Sequence, residues 1–376
     1  MSLENLSAIA AGARAWIRPV GFVDSPQRFD GLTERLAGTL IWFSQIELTV
    51  RNPDGAMVRA LLPVRNWEEA QACLPSAVAE HTGRLFARLI APRAPLQLGD
   101  RALRLDQPHV MAILNITPDS FSDGGRHVDD VDGAVASAVD HLAAGASIVD
   151  VGGESTRPGA KAVWEGDEIA RVQPVIERLV RGGNPVSVDT RKATVMEAAL
   201  AAGAHMINDI SALCHDDRAL SVAAGSPVPV VLMHAPSHGD NPHRGGAYGE
   251  AALDVFDWLE ERIDEVVAGG VARDRILVDP GIGFGKAIGD NLSIINNLAM
   301  FHALGCPILF GASRKRVIGA LSNEAPVDQR LGGSVALVMK AIEQGVQIVR
   351  VHDVIETVQA VRVWRGLRDA ALTVGA

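Results

Sequence analysis

The stretch VDGAVASAVDHLAAGASIVDVGG (131–153) decides the fold. Its first part is alanine-rich and amphipathic and closes on Gly145, where a glycine is expected just past a helix C-terminus. Its second part, SIVDVGG, is a short apolar run ending in an acid and two glycines, as a buried strand entering a turn would. The same unit recurs along the chain. Runs at VMAILN (110–115), PVSVDT (185–190), HMINDI (205–210), VPVVLMH (228–234), RILVDPG (275–281), PILFGAS (307–313) and QIVRVHD (347–353) make eight in all. Helical stretches such as TRKATVMEAALAAGA (190–204) lie between them. Strands alternating with helices build a parallel sheet. Eight such units in residues 108–376 predict an α/β fold, the eight-stranded (β/α)8 TIM barrel. An open doubly wound sheet is the runner-up, but no GxGxxG follows the first strand.

Residues 1–107 read differently. LIWFSQIELTV (40–50), the turn NPDG (52–55) and AMVRALLPV predict a hairpin. NWEEAQACL and AEHTGRLFARLI predict helices interrupted at Pro75, and APRAPLQLGD (91–100) a connector. This is a small N-terminal α+β extension without a chemical motif, suited to folding, docking or oligomerisation.

Composition narrows the function. The chain of 376 residues has a formal net charge of −10, which excludes a broad basic surface for nucleic acid. Sixteen aromatics are too few for single-strand stacking platforms. The charge is uneven: residues 1–107 hold 12 Arg, no Lys and 11 acids, whereas residues 108–376 hold 23 bases and 34 acids. Acids on helices such as 250–265 are expected to face solvent. Three cysteines without close spacing suggest neither disulfides nor a metal site. With no basic leader and no long apolar run, a cytoplasmic protein is expected.

In a barrel of this kind the chemistry sits at the C-terminal ends of the strands. Nearly every run here ends in polar groups: Asn115, Asp150, Asp189, Asn208, Met233-His234, Asp279, Ser313 with Lys315, and Arg350 with His352. One such residue is usually a turn cap; eight together point to a site. Asp189, Asn208 and Asp279 suit the N–H-rich edge of a flat 2-amino-4-oxopyrimidine. Arg350, His352, Ser313, Arg314 and Lys315 suit phosphate or carboxylate oxygens. Asp150 either binds ligand or orients a neighbour. The GIGFGK segment lacks phosphate-loop spacing, so its glycines are read as allowing close backbone passage. HAPSHGDNPHRGG (234–246) is read as a solvated loop rather than a metal site.

Taken in order, ILNITPDSFSDGG (113–125), IVDVGGESTRPGA (148–160), SVDTRK (187–192), INDI (207–210), LMH (232–234), VDPGIGFGK (278–286), SRK (313–315) and RVHD (350–353) resemble the dihydropteroate synthase family over residues 108–376. The resemblance implies a cytoplasmic transferase of folate biosynthesis, targeted by sulfonamides, that joins a dihydropterin pyrophosphate to p-aminobenzoate and works as a homodimer. It implies that Asp189, Asn208, Met233, Asp279 and Lys315 hold the pterin. Asn115, Arg350 and His352 take the pyrophosphate, Asn115 with a magnesium ion (Mg2+). Phe121, Thr156, Arg157, Pro158 and Phe284 frame the p-aminobenzoate slot, and Asp123 stabilises the methylene cation left when pyrophosphate departs. Asp123, Lys315, Arg350 and His352 are thus the catalytic group. Two departures stand out: APSHGDNPHRGG follows LMH, and Arg316 follows SRK where the family often has a serine. Arg316 is expected to draw the p-aminobenzoate carboxylate. A methyltransferase pterin domain and a catalytically silent homologue are the competing readings. The SRK and RVHD pair and the missing DxHxxG disfavour the first, and the intact mobile-loop residues disfavour the second.

Overall fold

The computed structural model describes residues 3–26, 29–117, 130–157, 159–239 and 241–373. The chain opens with an antiparallel sheet of β1 (Arg14–Val23), β2 (Glu34–Arg35), β3 (Trp42–Arg51) and β4 (Met57–Pro63). The hairpin β3–β4 turns at residues 52–55, where the sequence places it. Helices Trp67–Ala72 and Ser76–Ile90 flank Pro75 as expected. The second buries Val78, Thr82, Leu85 and Leu89, a stripe at helical spacing, and lies against β1 and the 3-10 segment Leu298–Leu304. The expected connector is partly structured: β5 (Leu96–Leu98) and β6 (Arg101–Leu103) form a short hairpin.

Eight parallel strands follow: β7 (His109–Asn115), β8 (Ile148–Gly152), β9 (Val186–Asp189), β10 (Met206–Asp209), β11 (Val230–Met233), β12 (Ile276–Asp279), β13 (Leu309–Phe310) and β14 (Ile348–Val351). Each pairs with the next in chain order from β7 to β12, and β14 returns to pair with β7. The ring closes between β12 and β13 through a bridge from Val278 to Ile308 and a 2.9 Å bond from the Val278 N–H to the Pro307 carbonyl. The fold is the expected (β/α)8 barrel.

The floor of the barrel is plugged. Leu96, Leu98 and Leu105 form one buried cluster with Met111, Ile148, Met206, Val231, Leu277, Leu309 and Ile348, which point inward from seven strands. Side chains two residues further along each strand also point inward. This hydrophobic layer is the base on which the site is built.

The extension and the barrel wall share one continuous core. Their seam is also ionic: Glu261, Asp264 and Glu265 face solvent as expected, but other acids of the same helix do not. Helix Ala251–Ala268 presents Asp257 and Glu260 to the extension: Arg14 NH2 lies 2.5 and 2.6 Å from them, and the Trp16 indole N–H donates to Asp257 at 2.8 Å. Arg88 joins Glu260 at 3.3 Å and Arg59 joins Glu250 at 2.7 Å. The arginine-rich, lysine-free extension thus covers part of the acidic surface of the barrel.

Candidate active site

Reading two residues up from the floor layer gives the next interior ring: Ile113, Asp150, Asp189, Asn208, Met233, Asp279, Gly311 and Arg350. The contacts bear this out. Arg350 donates through Nε to Asp150 Oδ2 and through NH2 to Asp189 Oδ2, each at 2.6 Å. Asn208 Nδ2 donates to the same Asp150 oxygen at 2.9 Å. A Cβ placed on Gly311 would lie 3.8 Å from both Asp279 Oδ2 and Arg350 Cβ, so these two side chains converge over a bare glycine. On the opposite side, a Cβ on Gly152 would lie 3.5 Å from Asn115 Oδ1 and from Asp189 Cβ.

Depth separates carboxylates that look alike in sequence. Asp150 has no exposed surface and is spent on Arg350 and Asn208, so it orients its neighbours. Burial pushes Asp189 up to about 7; Arg350 opposes the shift, while Asp150, Glu168 and Asp209 add to it. Burial also raises Asp279, against the pull of Lys315 and a 2.7 Å bond from the Gly281 N–H. Asp209 is buried too, but it accepts from Ser211 N–H, Ser211 Oγ and Leu213 N–H and serves the turn after β10.

Two cationic groups differ from expectation. Burial, with Arg350, Arg314, Arg157 and Lys315 nearby, presses His352 down to about 3. Its imidazole is therefore neutral before an anion arrives, with Nδ1 3.1 Å from Ser313 Oγ. Arg314 is not turned to the mouth alone: its guanidinium bonds the Asp353 carboxylate through Nε at 3.1 Å and through NH2. Lys315 is held down to about 8 by burial, partly countered by Asp279. Its Nζ donates to the Ile282 carbonyl and sits 4.6 Å from the Phe284 ring centre.

An apolar wall stands beside these charges. Ile210, Met233, Ala235 and Phe284 form a buried cluster separate from the main core. Phe284 is carried by the glycine-rich loop after β12, which folds around Lys286. The Lys286 ammonium donates to the carbonyls of Gly281 (2.7 Å), His234 (3.1 Å) and Phe284 (3.3 Å), and burial lowers it to about 7. Gly281 has φ +72°, and a Cβ there would fall 1.9 Å from the His234 carbonyl oxygen. Close backbone passage is thus the reason for glycine, as the sequence suggested, and Lys286 braces the loop.

The loop after β8 is pinned at its base. Burial alone would raise Glu154, but the Val163 N–H, Lys192 and Arg191 hold it below the usual range. Lys192 also bonds Glu168 at 2.6 Å. A cavity of about 330 Å³ opens here, lined by Thr156, Arg157, Arg191, Asn241 and His243 among others. The histidine-rich segment 234–246 corrects another expectation. His234 meets Trp258 edge-on, His238 stacks on Trp258, and His243 stacks on Phe284, so three of its imidazoles are packed rather than solvated. Among the described residues no cluster of three or more His, Cys, Asp or Glu could hold a metal ion.

The structure therefore brings together Asp189, Asn208, Met233, Asp279, Phe284, Lys315, Arg350 and His352, with Asn115 at the rim. Thr156 and Arg157 line the adjoining cavity. Arg316 is exposed and turned to Glu324 at 3.6 Å. Phe121, Asp123 and Pro158 lie outside the described residues. Of the two sequence readings of Asp150 the structure favours the orienting one; Lys286 as a brace and His243 as a ring contact were not assigned from sequence.

Residues 111–352 match the model of the pterin binding enzyme family. The dihydropteroate synthase of Bacillus subtilis is 48% identical over 246 residues, 65% of this chain and 83% of its relative. That of Escherichia coli K12 is 45% identical over 263 residues, 70% and 92% respectively. The chain belongs to the dihydropteroate synthase family. Solved dihydropteroate synthases agree with this. The Xanthomonas albilineans enzyme with 4-aminobenzoic acid is 46% identical with a TM-score of 0.69, covering 73% of this chain and 98% of its own. The same species' enzyme in complex with 7,8-dihydropteroate is 44% identical with a TM-score of 0.66, covering 73% and 98%. That 73% leaves 27% of this chain outside the match to that structure.

Proposed function

We infer that this chain is a transferase that condenses 6-hydroxymethyl-7,8-dihydropterin pyrophosphate with p-aminobenzoate, releasing 7,8-dihydropteroate and pyrophosphate. One observation carries the reading: the second interior ring sets the carboxylates of Asp150, Asp189 and Asp279 and the Asn208 amide against the Arg350 guanidinium, in a chain 45–48% identical to dihydropteroate synthases. Asp279 and Asp189, when ionised, each present two acceptors to the N–H edge of the pterin, and Asn208 completes the plane. Met233 and Ile210 offer an apolar face to the ring. Lys315 sits between this half and the arylamine wall at Phe284.

The bond that breaks joins the pterin methylene to a pyrophosphate oxygen, and the arylamine nitrogen takes its place. Arg350 meets the leaving charge: its Nε and NH2 are engaged with Asp150 and Asp189, and NH1 is not used in those bonds. His352, pressed down by burial and the surrounding cations, gains a proton more readily once an anion lies beside it. Asn115 fits magnesium as a single neutral oxygen donor at the strand end, for this ion is commonly held by one or two protein oxygens plus phosphate. When bound there it would neutralise charge on the departing pyrophosphate. The arylamine needs little activation; on this reading Asp123 is the anion that stabilises the cationic carbon, and closure of the loop holding Thr156, Arg157 and Pro158 keeps water from it. Arg316 is a candidate for drawing in the p-aminobenzoate carboxylate.

A cytoplasmic setting suits the three free cysteines. A homodimer suits helix Val354–Thr373, where Ile355, Val363 and Leu367 are each more than 60% exposed on one face. The test is direct. Purified protein with both substrates and magnesium should form dihydropteroate; pterin binding without product would identify a silent homologue.

A further inference from the structure

The segment between β11 and helix Ala251–Ala268 is tied down as a strap. His238 stacks on Trp258 at 5.4 Å, its carbonyl accepts from His215 Nδ1 at 2.9 Å, and the Gly239 carbonyl accepts from Arg191 NH1 at 2.8 Å. The strap ends at His243, whose own N–H donates to Asn241 Oδ1 at 3.0 Å. The His243 ring lies nearly parallel to Phe284, 8° between planes and 4.9 Å between centres. Its Nε2 is 2.6 Å from the Thr156 carbonyl oxygen, so that nitrogen carries the proton and donates. One imidazole thus touches both the loop after β8 and the aromatic wall after β12. These are the two elements that frame the arylamine slot in the reading above.

We propose that His243 is a positioning residue for p-aminobenzoate: it fixes the plane of Phe284 and pins Thr156, so that the slot stands ready before the substrate enters. The proposal rests on Phe284 and Thr156 facing p-aminobenzoate. A stack and a hydrogen bond that preorganise one slot should act on that substrate alone. The pterin contacts at Asp189 and Asn208 come from other strands, and Asp279, at the end of β12, bonds the Gly281 N–H and not His243.

Steady-state kinetics with each substrate varied in turn tests this. His243→Ala should raise KM for p-aminobenzoate by about ten-fold, the size expected for losing one stack and one hydrogen bond. kcat and KM for the pterin pyrophosphate should stay within about two-fold. His243→Phe keeps the stack without the hydrogen bond and should recover part of the loss. In the double variant with Phe284→Ala, removing His243 should add little, because the two act as a unit. An unchanged KM in His243→Ala, with Phe284→Ala raising it, overturns the role of His243 and leaves the slot where it is. An unchanged KM in both variants places the slot elsewhere and overturns the proposal with the reading beneath it. A rise in both KM values with a lowered melting temperature makes His243 merely structural and also overturns it.

Discussion

Asp150, Asp189 and Asp279 look equivalent as letters, each an acid near a strand end, but their surroundings assign them different work. Asp150 is sealed and locked to Arg350 and Asn208. Asp189 shares Arg350 and titrates near 7. Its raised value has a kinetic consequence with a definite sign. In the proposed role the ionised form accepts N–H groups of the pterin, so protonation removes an acceptor. kcat/KM for the pterin pyrophosphate should fall as pH drops through about 7, and Asp189→Asn should flatten that limb while lowering the plateau. A limb unchanged in the variant would assign the titration to another group. Residue types and their strand ends were readable because inward side chains alternate, so Leu277 and Asp279, or Arg350 and His352, could be placed on one face without coordinates. Burial was not readable. The lowered value of His352 follows first from burial and then from four cations brought round it from three stretches of the chain. Arg314 is drawn to Asp353 across 39 residues of sequence. His243 sits in a loop with no period that would point its ring at Phe284.

At the scale of elements, the eight runs that alternate with alanine-rich helices became β7 to β14 in order, because their hydrophobic pattern and glycine stops agree. Four strands of the extension escaped: β1, β2, β5 and β6. β1 holds Pro19 and buries Ala15, Trp16 and Ile17 in succession, so it lacks strand alternation; it tolerates proline because it pairs only with β3 and is an edge. β5 is three residues long and follows Pro95. The loop after β12 offers a test at this scale. Gly281→Ala adds a Cβ 1.9 Å from the His234 carbonyl at a left-handed φ. The backbone must move, carrying Asp279's N–H partner and Phe284 with it. Activity should fall by about a hundred-fold with the barrel still folded by circular dichroism, a displacement effect rather than a loss of chemistry. Full activity in this variant would mean the loop geometry is not needed.

For the whole molecule, the charge asymmetry of the sequence finds its reason in assembly. Arginines of the extension close over acids of helix Ala251–Ala268, and leucines 96, 98 and 105 plug the barrel floor. Extension and barrel should therefore unfold in one cooperative transition. Asp257→Ala, which strips partners from Arg14 and Trp16, should lower its midpoint by an amount reflecting about 1–3 kcal/mol. Two separate transitions in calorimetry would contradict the shared core. The acidity of the whole also ceases to be at odds with anionic substrates, since the cations that meet them are few, buried and local. In the proposed function the second interior ring reads the pterin edge, with Asp279 as its anchor. Titration calorimetry of the pterin pyrophosphate against Asp279→Asn tests it most directly. The account predicts that binding is abolished while the circular dichroism spectrum is unchanged; wild-type affinity in that variant would contradict it.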